Sequence, residues 1–73
     1  MPTILIKHAI KFEDGQYLRN DSKVTTDLKD AWTFNKADRA KAHAKQLGLK
    51  GFKIVSVEVT VIEDGASTYM EKV

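Results

Sequence analysis

The tripeptide Glu-Asp-Gly occurs twice, at 13–15 and 63–65, each time closing a run of alternating apolar residues. Asp-Gly favours hairpins because glycine accepts a positive φ without steric cost. Before the first copy, Ile4, Ile6, His8, Ile10 and Phe12 share one face of a strand-like run over 3–12, and Thr3, Leu5, Lys7, Ala9 and Lys11 share the other. Before the second, Val55, Val57, Val59 and Val61 alternate with Ser56, Glu58 and Thr60, flanked by Ile54 and Ile62. β-Branched residues in that pattern favour a strand packed on one face. Two hairpins follow, over 3–19 and 53–70. Two-residue turns would set Phe12 opposite Tyr17, Val61 opposite Thr68 and Val59 opposite Met70. Turn chemistry alone explains the recurrence, so it carries no claim of internal duplication.

Between the hairpins the pattern changes period. Asn20-Asp21-Ser22 is turn-like, Lys23–Thr26 reads as a short edge strand or an extended loop, and 27–32 reads as a loose helical turn. Leu28, Ala31 and Phe34 are expected to point inward. Asn35 is placed to cap a helix over 36–47, since its side-chain oxygen can accept from free first-turn N–H groups. Ala37, Ala40, Ala44 and Leu47 form one stripe at helical spacing, narrow enough for close approach to a sheet. Gly48 is a natural stop. The reading is a single α+β domain over 1–73. An antiparallel sheet of about four strands carries one helix on one face, in the order hairpin, helix, hairpin. The other sheet face would carry Leu5, Lys7, Ala9, Lys11, Ser56, Glu58 and Thr60. It is mostly polar and is expected to meet solvent or a partner.

Composition narrows the functions. At 73 residues the chain fills one small domain, which buries roughly 60% of its unfolded surface. It has no Cys, so disulfides, thiolate metal ligands and thiol nucleophiles are excluded. Two His residues do not make a tetrahedral zinc site. The longest apolar run is Ile4-Leu5-Ile6, far short of a membrane span, and Met1-Pro2-Thr3 leads into a strand-like segment without a signal-peptide pattern. A cytoplasmic, membrane-free chain without a cofactor is expected. Net charge is only +2, but it is segregated: residues 36–53 carry six Lys/Arg against one Asp, and residues 54–73 carry one Lys against four acidic residues. Folding those stretches to different places would make the molecule dipolar.

Few residues point to chemistry. His8, inside an apolar face, reads as a general base or pH switch, or as a core or rim histidine with a satisfied hydrogen bond. No Ser, Cys or Asp stands at a motif spacing to it, so the second reading is expected. His43 lies beside Lys36, Arg39 and Gln46, where it could meet a phosphate; a solvated helix flank is expected. Asp14 and Asp64 belong to the turns. There is no glycine-rich phosphate loop or nucleophile elbow, and an enzyme is not expected. Two surfaces remain. Lys36, Arg39, Lys41, Lys45, Lys50 and Lys53 form a basic cluster that could follow a phosphate backbone, or could simply solvate the outer face. No aromatic interleaves it. Trp32, Leu5, Lys7 and Lys11 are candidate partner contacts, Trp32 as an anchor if exposed and otherwise at the core edge. A homodimer is a further option, through pairing of edges such as Lys23–Thr26 or the last strand across a two-fold axis.

Tyr17-Leu18, Thr26–Ala31, Phe34–Ala40 and Ile54–Val59 together resemble the short uncharacterised proteins encoded by phages and prophages of Gram-positive bacteria. There a Tyr-Leu hairpin precedes an Ala-x-x-Phe step, an Ala-rich helix and a valine-rich strand. The likeness covers about residues 5–62. It implies an intracellular accessory protein and carries over no catalytic residue. Separately, Phe34–Ala40 is similar to the Phe-x-Thr-Lys-x-x-Ala step of the arm-DNA-binding domains of phage integrases. In those a three-stranded sheet precedes the helix, whereas here the best strand follows it. The expected function is thus a non-catalytic protein–protein interaction module, accessory or inhibitory towards a host or phage protein. Nucleic-acid binding through the basic helix is the alternative.

Overall fold

The computed structural model describes residues 3–62 and 65–72. Strands β1 (Thr3–Phe12), β2 (Tyr17–Leu18) and β3 (Val24–Thr25) precede a 3₁₀ turn, Leu28–Asp30. Then come β4 (Thr33–Phe34), helix α1 (Ala37–Gln46), β5 (Phe52–Val61) and β6 (Ser67–Lys72). The α+β class holds, with six strands rather than four. The order is β3-β2-β1-β5-β6, and β4 also pairs with β1. The two additional strands are two-residue pieces: the edge strand that is one of the two readings of Lys23–Thr26, and Thr33–Phe34, which was not expected. Val24–Thr25 pairs with β2, and Thr33–Phe34 pairs with β1 opposite Ala9 and His8.

Both hairpins turn through one residue more than the sequence pattern suggested. Phe12 N–H donates to Gln16 O at 2.8 Å and Gly15 N–H to Phe12 O at 3.0 Å. Ile62 and Ala66 repeat that bond at 2.9 Å, and Gly65 and Ile62 at 3.0 Å. Gly15 and Gly65 take positive φ values of 87° and 79°. The loops are therefore three-residue hairpin connections with glycine in the left-handed position. Glu63 and Asp64 themselves lie outside the described residues. One residue of slip moves every side chain of the return strand to the other face. Tyr17 pairs with Lys11 instead of Phe12, and Val59 pairs with Tyr69 instead of Met70.

The β1–β5 ladder corrects the assignment of the two faces. Ile10 lies opposite Ile54, His8 opposite Ser56, Ile6 opposite Glu58 and Ile4 opposite Thr60, while Leu5, Lys7 and Ala9 lie opposite Val59, Val57 and Val55. The isoleucine row and the valine row thus face opposite sides. The face expected to be polar and solvated instead buries Ala9, Val55, Val57 and Val59 under Tyr17, with Leu28, Ala31 and Tyr69 packed around them. On the other face Ile10 packs with Leu18, Phe34, Ala40 and Ala44, flanked by Phe12, Trp32, Leu49, Phe52 and Ile54. The sheet is covered on one side by α1 and on the other by the 27–31 segment.

Helix α1 departs from expectation at its start. Its N-cap is Lys36, which makes no side-chain capping bond. Asn35 lies one residue before that cap, and its Oδ1 accepts from Lys7 Nζ instead of from the first helical turn. The end follows the expected glycine stop: Gly48, at φ 70°, donates to Lys45 O, and Leu49 donates to Ala44 O, both at 3.0 Å. Ala40 and Ala44 are fully buried, but Ala37 and Leu47 are exposed. The contact stripe turns toward His43, which stacks on Trp32 at 4.8 Å and Phe34 at 5.2 Å between ring centroids.

Candidate interaction surface

A ten-residue helix spans about 15 Å, whereas ten residues of strand span about 33 Å. Helix α1 and strands β1 and β5 are each ten residues long, so α1 covers only part of its face. It sits over the Ile10–Phe12 end, beside Ile54 and Phe52. At the other end Ile4 is 58% exposed, Ile6 51% and Met70 67%, with Ile62 also exposed. These side chains share the helix-bearing face, since Ile6 opposes Glu58, Glu58 opposes Met70, and Ile62 continues the parity of Glu58 and Thr60. Glu58 and Lys72 form an ion pair at 2.9 Å among them. Ile4 and Ile6 are neighbours along β1, while Glu58 and Thr60 of β5 stand between them and Met70. Grouped exposed apolar side chains on one sheet face mark an interaction site more than scattered single ones do.

The same end of β1 carries an open edge. β2 and β4 follow one another along the outer side of β1, opposite Lys11 and then opposite Ala9 and His8. Among the described residues no strand pairs with Thr3–Ile6 on that side. The Phe12 amide points to β2, and backbone groups alternate sides along an antiparallel ladder. The N–H and C=O groups of Ile4 and Ile6 therefore point to the open edge.

The predicted partner contacts are divided by the fold. Leu5 is 40% exposed beside the open edge. Lys7 reaches Asn35. Lys11 lies further along the same row and pairs with Glu71 at 3.1 Å, its Nζ 5.6 Å from the centroid of the Tyr17 ring. Trp32 is half-buried at the rim of the helix-side core, 4.7 Å from Phe34 between centroids, so it lies away from the other three. His43, expected on a solvated flank, is part of that aromatic cluster. His8 is half-buried on the helix-bearing face between Phe34 and Ser56.

The basic cluster is also divided. Lys36, Arg39, Lys41 and Lys45 are exposed along α1, and Lys50 is exposed after it. Lys53 opposes Lys11 and so lies on the valine-row face, away from the helix. Like charges directly opposite are unfavourable, and Glu71 answers them. Its carboxylate accepts from Lys11 and, at 2.6 Å, from the Tyr17 hydroxyl. The Tyr17 hydrogen bond above all, then the Lys11 and Lys53 charges, hold the Glu71 carboxyl below the usual carboxylate range against the opposing effect of burial. Burial first, then Glu71, pushes the Tyr17 hydroxyl up to about 12.

Among the described residues no group of three or more His, Cys, Asp or Glu is arranged to hold a metal, and no helix is long and apolar enough to cross a membrane. An open cleft of about 520 Å³ lies between the Glu13–Gly15 loop and Gly51–Lys53. Family models, curated proteins and solved structures yield no match to the chain.

The uncovered apolar end escaped the sequence reading, although its signal was present. Two alternating apolar rows plus one short helix leave more apolar sheet than a single helix can cover.

Proposed function

We propose that this chain is a small non-catalytic protein-interaction module that holds its partner at the open end of the helix-bearing sheet face. The observation that carries the reading is the exposed pair Ile4 and Ile6 next to an unpaired strand edge, with Ile62 and Met70 also exposed on the same sheet face. Those groups gain most from a partner that supplies both apolar contact and a strand. The polar cluster Tyr17–Glu71–Lys11 has its groups engaged in joining β2, β1 and β6. The resemblance to short phage and prophage proteins supports an accessory or inhibitory role in the cytoplasm, directed at a host or phage protein.

A photo-crosslinking residue placed at Ile6 in producing cells tests this, with the same residue at exposed Lys50 as control. A discrete protein adduct from position 6 and none from position 50 is expected. Equal labelling from both positions, or none from position 6, overturns the proposal.

Nucleic-acid binding is the second reading. It is favoured by Lys36, Arg39, Lys41 and Lys45, none of which has a carboxylate partner among the described ion pairs. Placement of Lys53 on the other face weakens it. Binding to mixed-sequence DNA and RNA, measured by fluorescence anisotropy at about 50 and 200 mM salt, decides the matter: backbone binders lose affinity steeply over that range. Charge reversal at Lys41 and Lys45 should abolish such binding.

A further inference from the structure

We propose that β6 is the seam of a homodimer. Ser67–Glu71 of two copies pair antiparallel about a two-fold axis that passes beside Tyr69, perpendicular to the sheet, and the two sheets become one. This goes beyond the partner-holding reading. It uses the opposite side of the sheet and leaves the β1 edge of each copy free.

The backbone decides which groups face the seam. Ile62 N–H donates to Ala66 O at 2.9 Å, and the register then runs unbroken from Val61 and Ser67 to Ser56 and Lys72. Bonding groups alternate sides along an antiparallel ladder. Thr68, Met70 and Lys72 therefore bond to β5, while Ser67, Tyr69 and Glu71 turn their N–H and C=O groups outward. β6 ends the strand order, and among the described residues no backbone group bonds to it on that side. A second copy displaces nothing. On the helix-bearing face Thr68, Met70 and Lys72 are all exposed. On the other face the Leu28–Asp30 turn comes close to β6 without bonding to its backbone.

The side chains select the occupant and its register. Edge strands are commonly guarded by charges. Here both charges of β6 are drawn back toward its neighbours, Glu71 to Lys11 and Tyr17, and Lys72 to Glu58. A perpendicular two-fold keeps like faces together. With Tyr69 opposite Tyr69 of the second copy, Ser67 meets Glu71, and every outward group from Ser67 to Glu71 finds a partner. The tyrosines form a cross-strand pair on the valine-row face, where each already packs against its own core. Met70, at 67% the most exposed large apolar residue among those described, comes opposite Thr68 of the second copy. A strand of unrelated sequence could fill the same backbone groups. Pairing the tyrosines and covering Met70 from both sides takes this sequence twice.

Other registers lose something. Moving the axis to Met70 leaves Ser67 without a partner among the described residues. Moving it to Glu71 sets two carboxylates face to face, which is unfavourable. Moving it to Thr68 runs Glu71 into the turn at Gly65. The seam is short, so it buries less than a standard interface, and the association is weak and reversible.

Sedimentation velocity on the full chain, from about 10 to 1,000 µM, should show the 8.2 kDa monomer giving way to a species of twice that mass. Met70→Lys, at an exposed position, should weaken the dimer about tenfold or more with an unchanged circular dichroism spectrum. Ser67→Pro removes only an outward N–H and should do the same. Ile4→Lys, on the β1 edge, should dimerise normally. The chain has no Cys, so introduced cysteines report the register. Thr68→Cys with Met70→Cys should give a disulfide-linked dimer under copper–phenanthroline, and neither single variant should. A chain monomeric at the top concentration overturns the proposal. So does bridging by Met70→Cys alone, or a dimer broken by Ile4→Lys but not by Met70→Lys. A photo-crosslinking residue at Met70 should give an adduct of two chains, and an adduct only with a different protein overturns the second copy as occupant. Capture from position 6 tests the partner-holding reading separately, so either can fail without the other.

Discussion

The Tyr17 hydroxyl donates to Glu71 Oε1 at 2.6 Å and so ties β2 to β6, two strands that share no backbone ladder. Ala9, fully buried on that face, belongs to the same core group as Tyr17. Lys11 completes the cluster from β1. A sheet with a small core on each face gains cross-sheet bracing from a contact that neither hairpin makes alone.

The bracing predicts a two-sided pH dependence. The Glu71 carboxyl is held below its usual range, chiefly by the Tyr17 hydrogen bond. A group with a lowered folded pKa contributes stability above its unfolded pKa and loses it as pH falls through the folded value. Tyr17, raised from 10.0 to about 12, contributes fully below 10.0 and loses that contribution as pH rises toward 12. Urea midpoints should therefore fall on the acid side of about pH 4 and on the alkaline side of about pH 10. Glu71→Gln should remove the acid limb and reduce the alkaline one, where burial of Tyr17 still acts, and Tyr17→Phe should remove the alkaline limb and reduce the acid one. Tyr17→Phe should also cost about 1.5 kcal/mol at neutral pH, the low end for a hydrogen bond to a charged group, since Glu71 keeps Lys11. Unchanged slopes in both variants would contradict this account.

Register gives a second prediction. Tyr69 lies over the valine-row core opposite Val59, while Met70 faces solvent. Tyr69→Ser should cost about 1–3 kcal/mol and Met70→Ser less than about 0.5 kcal/mol, read from urea denaturation. A two-residue turn would reverse the pair.

That reversal marks where sequence reading reached its limit. The alternation over 3–12 and 53–62, the two Asp-Gly turns and the Gly48 stop are local signals, and all appear in the fold. Register and phase are not local. Whether Asp-Gly closes a two- or three-residue loop decides the face of Tyr17 and Tyr69. The pairing of Ile10 with Ile54 then decides that the isoleucine and valine rows face opposite ways. Each row reads as core by itself. Only the ladder tells that each face is half apolar, which is why Ile4 and Ile6 lie bare. Asn35 is a similar case: the helix begins one residue later than its cap propensity suggests, and its oxygen meets Lys7, 28 residues away.

The helix contact predicts intolerance to bulk. Ala40 and Ala44 are fully buried against Ile10, Leu18 and Phe34. Ala44→Leu has no space to enter and should destabilise by about 1–3 kcal/mol through displacement of α1. Leu47→Ala, at an exposed position, should change stability by less than about 1 kcal/mol. Thermal denaturation followed by circular dichroism measures both. Equal effects would mean that the helix stripe runs through Leu47 rather than His43.

Trp32 separates a core-edge role from an anchor role. It lies 4.7 Å from the Phe34 ring and 4.8 Å from the His43 ring, and is half-buried. Truncation at such a place removes contacts with both rings and opens the side of the helix–sheet junction. Trp32→Ala should cost about 2–3 kcal/mol, below the range for a fully buried tryptophan because part of the ring is already wet. Trp32→Phe should recover most of that, since a smaller ring still stacks on Phe34 and His43. Protein capture from position 6 should survive in Trp32→Phe, because the open edge and Ile4 and Ile6 are untouched. An anchor at a partner interface behaves in the opposite way: Trp32→Ala leaves the urea midpoint where it was and abolishes capture. The two measurements on one pair of variants assign the residue to the core edge or to the interface.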